Sequence, residues 1–282
     1  MRGFISILLS ILSVTFLFSQ NQPWQGKFEP IDNLLTPPNQ YRTAGGAPSK
    51  AYWQQRADYN IKATLDESSN TLHGVETITY HNNSPDDLPY LWIQLDQNVN
   101  KKENEDFGDL MGGVRDSMSV RQMQFLTRAI DFPAGYTINY VKNDVGEDLK
   151  ALVNNTMMKV MLPKALPAGY SIRFSISWSY PITDRSMFLL SREGYEYFPG
   201  DDNTIYLIAH WFPRMAVYND TEGWQNKQFQ KLGEFALEFG DYDVEITVPA
   251  DHLVAATGNL MQKMFATLPL LHPVNSCGMR KP

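Results

Sequence analysis

The sequence has little of what cross-links a chain or makes it basic. Its one cysteine, Cys277, excludes an internal disulfide and a metal site built from cysteines. The formal net charge at pH 7 is −7, and lysine and arginine never occur in runs of more than two. Binding to nucleic acid or to an anionic membrane surface relies on basic clusters, so neither is expected as a partner.

Catalytic motifs are also absent. No two of the five histidines have the i, i+4 spacing that places two imidazoles around zinc on one helix face. There is no Gly-x-Ser-x-Gly elbow, no phosphate-binding loop and no dinucleotide fingerprint. Cys277 has no neighbours that would activate it as a nucleophile. The sequence therefore predicts no catalytic residue, no metal ligand and no cofactor within this chain.

A long uncharged apolar segment is present at the N-terminus. Met1-Arg2 is a short basic start, Phe4 to Phe18 is apolar, and the chain is abruptly polar from Gln20. The run is shorter than the roughly 20 residues of a membrane-spanning helix. This pattern predicts a signal helix cleaved after Ser19 and export to the periplasm, cell envelope or exterior, with no stable membrane span afterwards. An uncleaved N-terminal anchor is the alternative.

From about residue 51, hydrophobicity follows the period of β-strands. Apolar residues alternate with polar ones from Tyr59 to Leu65, and the chain returns from Leu72 to Tyr80 after a turn, which predicts a hairpin. The cleanest alternation runs from Ile172 to Tyr180, and another runs from Tyr242 to Val248. One apolar and one polar face predict antiparallel sheets with a solvated side. A short strand is also predicted from Leu253 to Ala256.

No segment has a sustained helical period, so the fold class predicted is all-β, a large antiparallel β-sandwich or saddle-like domain. The predicted organisation is a signal peptide at 1–19, an irregular lead-in at 20–50 and the β-domain at 51–260. The tail at 261–282 has no strand alternation and no acidic residue. We interpret it as divergent, the result of a frameshift or of truncation.

The most informative stretch lies between Ile205 and Leu260. Phe212-Pro213 is followed by an acidic turn at Asp220, then by Lys227 and Phe229, and a strand ends in Val-Pro-Ala-Asp-His-Leu-Val-Ala-Ala-Thr-Gly. This order resembles the end of the N-terminal β-domain of aminopeptidase-N-type (gluzincin) zinc metallopeptidases, in the variant of Bacteroidetes-like envelope proteins.

The resemblance implies a domain that caps the active-site cleft of a zinc aminopeptidase and helps to recognise the peptide's N-terminus. Hydrolysis, zinc and the peptide substrate would belong to a catalytic domain that this chain lacks. The family is enzymatic, but without His-Glu-x-x-His we expect this chain to be inactive alone.

The resemblance also indicates substrate-binding residues. In the family, a polar residue close to the Phe-Pro segment helps to hold the free amino group of the peptide. His210 is the nearest polar residue here, and an imidazole packed among aromatics is the alternative. Glu196 is the second candidate: with Glu193 and Asp201-Asp202 it could bind a substrate amine or calcium, or the acidic pair could be a solvated turn.

A second function comes from a different class. Tyr195, Tyr197 and Phe198 lie among turn residues and could stack on a sugar or a peptide, or could simply hold loops in place. The alternative prediction is therefore a non-catalytic, secreted β-sandwich module that binds a glycan or an envelope protein.

Overall fold

The computed structural model describes residues 38–101, 132–185, 193–229, 236–265 and 274–280, with 117, 119–121 and 124, and omits the side chains of 262–265 and 274–280. The signal peptide and most of the lead-in lie outside these residues. The chain divides into two units, Met1–Tyr52 and Trp53–Pro282. In the first, the described residues are irregular apart from a bridge between Arg42 and Pro48.

The second unit consists mainly of strands. Its described residues include the short 3₁₀ helix Asp96–Asn100. They also form fifteen strands: β1 Arg56–Asp66, β2 Thr71–His81, β3 Leu88–Gln94, β4 Thr137–Asn143, β5 Ala151–Asn154, β6 Met157–Leu166, β7 Ser171–Pro181, β8 Gly194–Phe198, β9 Asn203–Leu207, β10 Arg214–Met215, β11 Tyr218–Asn219, β12 Gly223–Trp224, β13 Tyr242–Pro249, β14 Asn259–Phe265 and β15 Val274–Arg280. No helix in the described part of the chain is long and apolar enough to cross a membrane.

The larger sheet has seven strands in the order β14-β15-β13-β1-β2-β7-β4. All its neighbours are antiparallel except β1 and β13, which run parallel. The smaller sheet has the order β10-β3-β6-β5, and β8–β9 and β11–β12 form two-stranded ribbons. One core cluster joins Ile61, Ile78 and Ile176 of the larger sheet to Leu91 and Val160 of the smaller. The predicted all-β, antiparallel sandwich is confirmed.

The β1–β2–β7 region follows the predicted alternation closely. Tyr59, Ile61, Ala63 and Leu65 are buried along β1, and the inward residues of β7 include Trp178. Trp178 lies opposite Gly74 in the β2–β7 ladder. A Cβ added at Gly74 would lie 2.1 Å from Cζ2 of Trp178, so the indole occupies the space that a side chain would need. Glycine here serves close packing rather than an unusual backbone angle.

A segment after β13 differs from expectation. The predicted strand from Leu253 to Ala256 is wrong: this segment has no ladder partner, and Leu253 is 86% exposed. Most of β14 and all of β15 lie in the tail at 261–282, and these strands extend the larger sheet beyond β13. The β14–β15 register shifts between Leu260 and Gln262, an irregularity of the β-bulge type. The interpretation of the tail as divergent stays a prediction.

Candidate functional site

The 3₁₀ helix after β3 buries polar side chains instead of apolar ones. Asp96, Gln97, Asn98 and Asn100 are each less than 5% exposed. Asn98 donates from its amide nitrogen to the carbonyl of Asn155 at 2.8 Å, and its amide oxygen accepts from the backbone N–H of Tyr136 at 2.8 Å. Buried amides that hold backbone groups in this way fix the path of a chain that has no ladder hydrogen bonds of its own.

Asp96 forms a buried ion pair with Arg214. The guanidinium donates to the carboxylate, and the side chain of Arg214 is only 13% exposed and that of Asp96 only 2%. Arg214 is on β10, which adds a two-residue edge to β3, and it lies opposite Gln94. The pair therefore joins the 3₁₀ helix to the segment that follows His210.

Glu76 is a second buried acid, and unlike Asp96 it is not stabilised by an ion pair with any residue that the structure describes. It lies on β2 with no exposed surface, and neither of its carboxyl oxygens hydrogen-bonds to a described residue. Burial raises its pKa well above the ordinary value, because a charged carboxylate is poorly solvated inside the protein.

His210 is held by this network through its backbone. Its φ of 48° lies in the left-handed region, which is unfavourable for a residue with a side chain. The hydroxyl of Tyr136 donates to its carbonyl at 2.8 Å, and Nε2 of Gln97 donates to the same oxygen at 3.4 Å. The imidazole is half-buried and packs against Phe229, with ring centroids 5.0 Å apart. The ring therefore has an aromatic neighbour, Phe229, and the role of His210 stays a prediction.

Glu193 is the carboxylate that belongs to this network. Nε2 of Gln97 donates to its Oε2 at 2.6 Å and to the carbonyl of Ala209 at 2.9 Å. One buried amide thus positions the half-buried carboxylate and the backbone on both sides of His210. A carboxylate oriented by a hydrogen bond and partly screened from water can accept hydrogen bonds from an ammonium group.

Glu196, the other predicted substrate-binding residue, lies on the β8–β9 ribbon. Its side chain is exposed and pairs with Arg185 at 3.8 Å, and its backbone pairs with Ile205. The structure therefore connects Glu193, not Glu196, to His210. The predicted roles of His210 and Glu196 remain predictions.

Sequence reasoning missed Gln97 altogether and considered Glu193 only as a neighbour of the acidic turn. Gln97 follows an apolar strand in a stretch that looks like a polar loop, so no local pattern marks it as buried. The acidic turn itself is exposed, and Asp202 accepts a hydrogen bond from the hydroxyl of Tyr197 at 2.8 Å. This matches a solvated turn. Cys277 lies on β15, where only the backbone is described.

No family model and no curated protein matches the chain. Among solved structures, a two-domain M1 zinc metallopeptidase mutant bound to L-tryptophan is similar with 13% identity and a TM-score of 0.44, over 83% of this chain and 41% of that one. The M1 zinc metallopeptidase from Deinococcus radiodurans is similar with 12% identity and a TM-score of 0.40, over 83% and 40%. The chain thus spans less than half the length of these proteins, and the likeness assigns it no activity.

Proposed function

We propose that this chain is the exported N-terminal β-domain of an aminopeptidase-N-type zinc metallopeptidase, and that it helps to bind the free amino group of a peptide. The observation that carries the proposal is that Gln97 binds both the carboxylate of Glu193 and the backbone carbonyl of Ala209, which precedes His210. His210 in turn comes directly before the Trp211-Phe212-Pro213 segment on which the resemblance rests. Gln97 orients the carboxylate, and a peptide ammonium would be its natural partner.

Catalytic zinc would be held outside this set of residues. A gluzincin site needs two histidines one helical turn apart. Here His73 and His81 lie at opposite ends of β2, His210 lies in an irregular segment and His252 follows β13. These residues do not fit such a site, so no hydrolytic step is assigned to them. The purified chain with added zinc should not release the fluorophore from an aminoacyl-coumarin substrate; turnover that depends on the chain would contradict the proposal.

The recognition role is tested by amide chemical shifts. We would titrate a tripeptide amide with a free N-terminus into ¹⁵N-labelled protein and follow residues 209–211, using the N-acetylated peptide for comparison. Only the free amine should shift these signals. Glu193→Gln should abolish the response, whereas Glu196→Gln, the matched change on the exposed ribbon, should preserve it. Equal shifts with both peptides, or loss only in Glu196→Gln, would overturn the proposal.

A second candidate function is favoured by the β8–β9 ribbon. Phe198, Ile205 and Leu207 share one face of this ribbon and are 37%, 56% and 52% exposed, an apolar surface larger than an isolated surface residue provides. This is the observation that supports a binding module for a glycan or an envelope protein. Glycan-array binding that is lost in Phe198→Ala, with no response of residues 209–211 to free amines, would favour this alternative.

A further inference from the structure

Because β1 and β13 pair in parallel, the turns that follow them lie at the same end of these two neighbouring strands. The last pair of that ladder is Thr64 with Thr247, after which β1 ends at Asp66 and β13 ends at Pro249. Parallel strands end on the same side, so the turn that follows β1 and the turn that follows β13 lie next to each other. The first turn supplies Glu67, and the second supplies Asp251 and His252.

These three side chains have the spacing of ligands around one ion. One donor atom from each lies within 4.8 Å of the other two. Nε2 of His252 is 3.9 Å from Oε1 of Glu67, which is beyond hydrogen-bond distance. Two atoms that bind the same zinc ion at about 2.0–2.2 Å are separated by roughly 3–4 Å, which is the separation found here. Oδ1 of Asp251 lies at hydrogen-bond distance, 3.1 Å, from Nδ1, the other ring nitrogen, so this contact orients the imidazole.

The imidazole of His252 is also held in place by packing against Tyr206. The His252 side chain is only 15% exposed, and its ring packs against Tyr206 with centroids 5.7 Å apart. The hydroxyl of Tyr206 donates to Oδ1 of Asn70 at 2.6 Å, in the same turn as Glu67. Asp251 is 81% exposed, so water can complete the coordination of an ion. The position of the ring is thereby coupled to the position of the turn that carries Glu67.

The local charge favours a cation. Asp66 precedes Glu67, and its carboxylate accepts hydrogen bonds from the hydroxyls of Ser68 and Ser69. Within the described part of the chain, neither Asp66 nor Glu67 forms an ion pair with lysine or arginine. The carboxylates of Glu67 and Asp251 lie beside one imidazole, a set of donors that can hold a divalent ion.

We propose that Glu67, Asp251 and His252 bind one divalent transition-metal ion, with zinc as the best match, and that the ion links the β1–β2 turn to the turn after β13. An imidazole nitrogen with two carboxylates suits zinc, whereas magnesium and calcium take oxygen ligands almost exclusively. The role is structural and independent of the recognition site at Glu193 and His210. An ion bound to the folded chain stabilises it by mass action.

Isothermal titration of ZnCl₂ into the chelator-treated full chain tests this site. Wild type should bind one equivalent, and His252→Ala and Glu67→Gln should each weaken binding by at least about tenfold, since even the loss of an outer-shell partner weakens metal binding 10–100-fold. His73→Ala removes an exposed histidine from β2 and should leave the affinity unchanged. Far-UV circular dichroism without metal verifies that each variant is folded.

Thermal unfolding provides the second measurement. Zinc should raise the Tm of wild type and His73→Ala but not of His252→Ala, and equimolar magnesium should not displace it. The proposal is overturned if His252→Ala and Glu67→Gln bind zinc as tightly as wild type, or if zinc shifts the Tm of every variant equally. Glu67→Gln lies at a turn and keeps its size, so it remains informative even where His252→Ala does not fold.

Discussion

The interior of this sandwich has two parts of different composition. The apolar interior consists of inward residues such as Ile61, Leu91, Val160 and Ile176, which join the two sheets. The polar interior includes the buried residues Glu76, Gln94, Asp96 and Gln97, together with Arg214, whose side chain is 13% exposed. In the apolar interior, one hydrophobic side chain can replace another at modest cost in stability as long as the volume is kept. In the polar interior, the charge on Asp96 depends on Arg214, because an unpaired buried charge is strongly destabilising.

Breaking the buried ion pair should have the largest effect. Arg214→Met removes the partner of Asp96 and should lower the free energy of unfolding by about 3–5 kcal/mol. Urea unfolding followed by tryptophan fluorescence measures it. Arg185→Met breaks the exposed pair with Glu196 and should change stability by about 0.5 kcal/mol or less. Similar losses in both variants would remove the distinction between buried and exposed pairs.

In the apolar interior, an added methyl group should destabilise the domain where the side chains leave no space for it. Gly74→Ala places a methyl group 2.1 Å from the Trp178 ring and should destabilise the domain by about 1–3 kcal/mol. The same unfolding assay measures it, together with the near-ultraviolet dichroism of the indole. Gly200→Ala, in an exposed turn with no atom within 4 Å of the added Cβ, is the control. An unchanged midpoint for Gly74→Ala would show that Trp178 can move aside.

Glu76 in the polar interior should make the stability of the protein depend on pH. Its pKa is raised in the folded state, so its contribution to stability is complete below pH 4.5, the unfolded value, and is lost as pH rises towards the folded pKa. Glu76→Gln cannot ionise, so it should lose less stability than wild type as the pH rises from 4.5 to 8. The stability difference between the two proteins should therefore grow with pH. A difference that does not vary with pH would show that burial does not raise the pKa of Glu76.

The smallest expected effect concerns a single hydrogen bond at the recognition site. Tyr136→Phe removes the donor to the carbonyl of His210 and should cost about 1 kcal/mol in unfolding free energy. Because this bond helps to hold His210 at positive φ, the amide signals of residues 210 and 211 should also change. Tyr170→Phe, at a side chain that is 66% exposed, is the control and should do neither. Unchanged amide signals in Tyr136→Phe would mean that Gln97 alone holds this backbone.

The two parts of the interior also differ in how well they could be predicted. The inward residues of β1, β2 and β7 follow from alternation, because a strand places every second side chain on the same face. The polar interior was not predicted, since its pairs are far apart in sequence: Gln97 meets Glu193, and Asp96 meets Arg214. Neither the 3₁₀ helix nor the segment after His210 has a period that shows which side chains are buried.

The sequence by itself determined the all-β class, the β1–β2 hairpin, the antiparallel β7 and the resemblance around Phe212-Pro213, because these depend on periodicity and local order within single segments. Only the tertiary structure decided that Glu193, rather than Glu196, lies at His210. It likewise decided that Glu67 meets His252, because the parallel pairing of β1 with β13 joins turns about 180 residues apart. Such juxtapositions depend on sheet order, which side-chain periodicity within a strand does not specify.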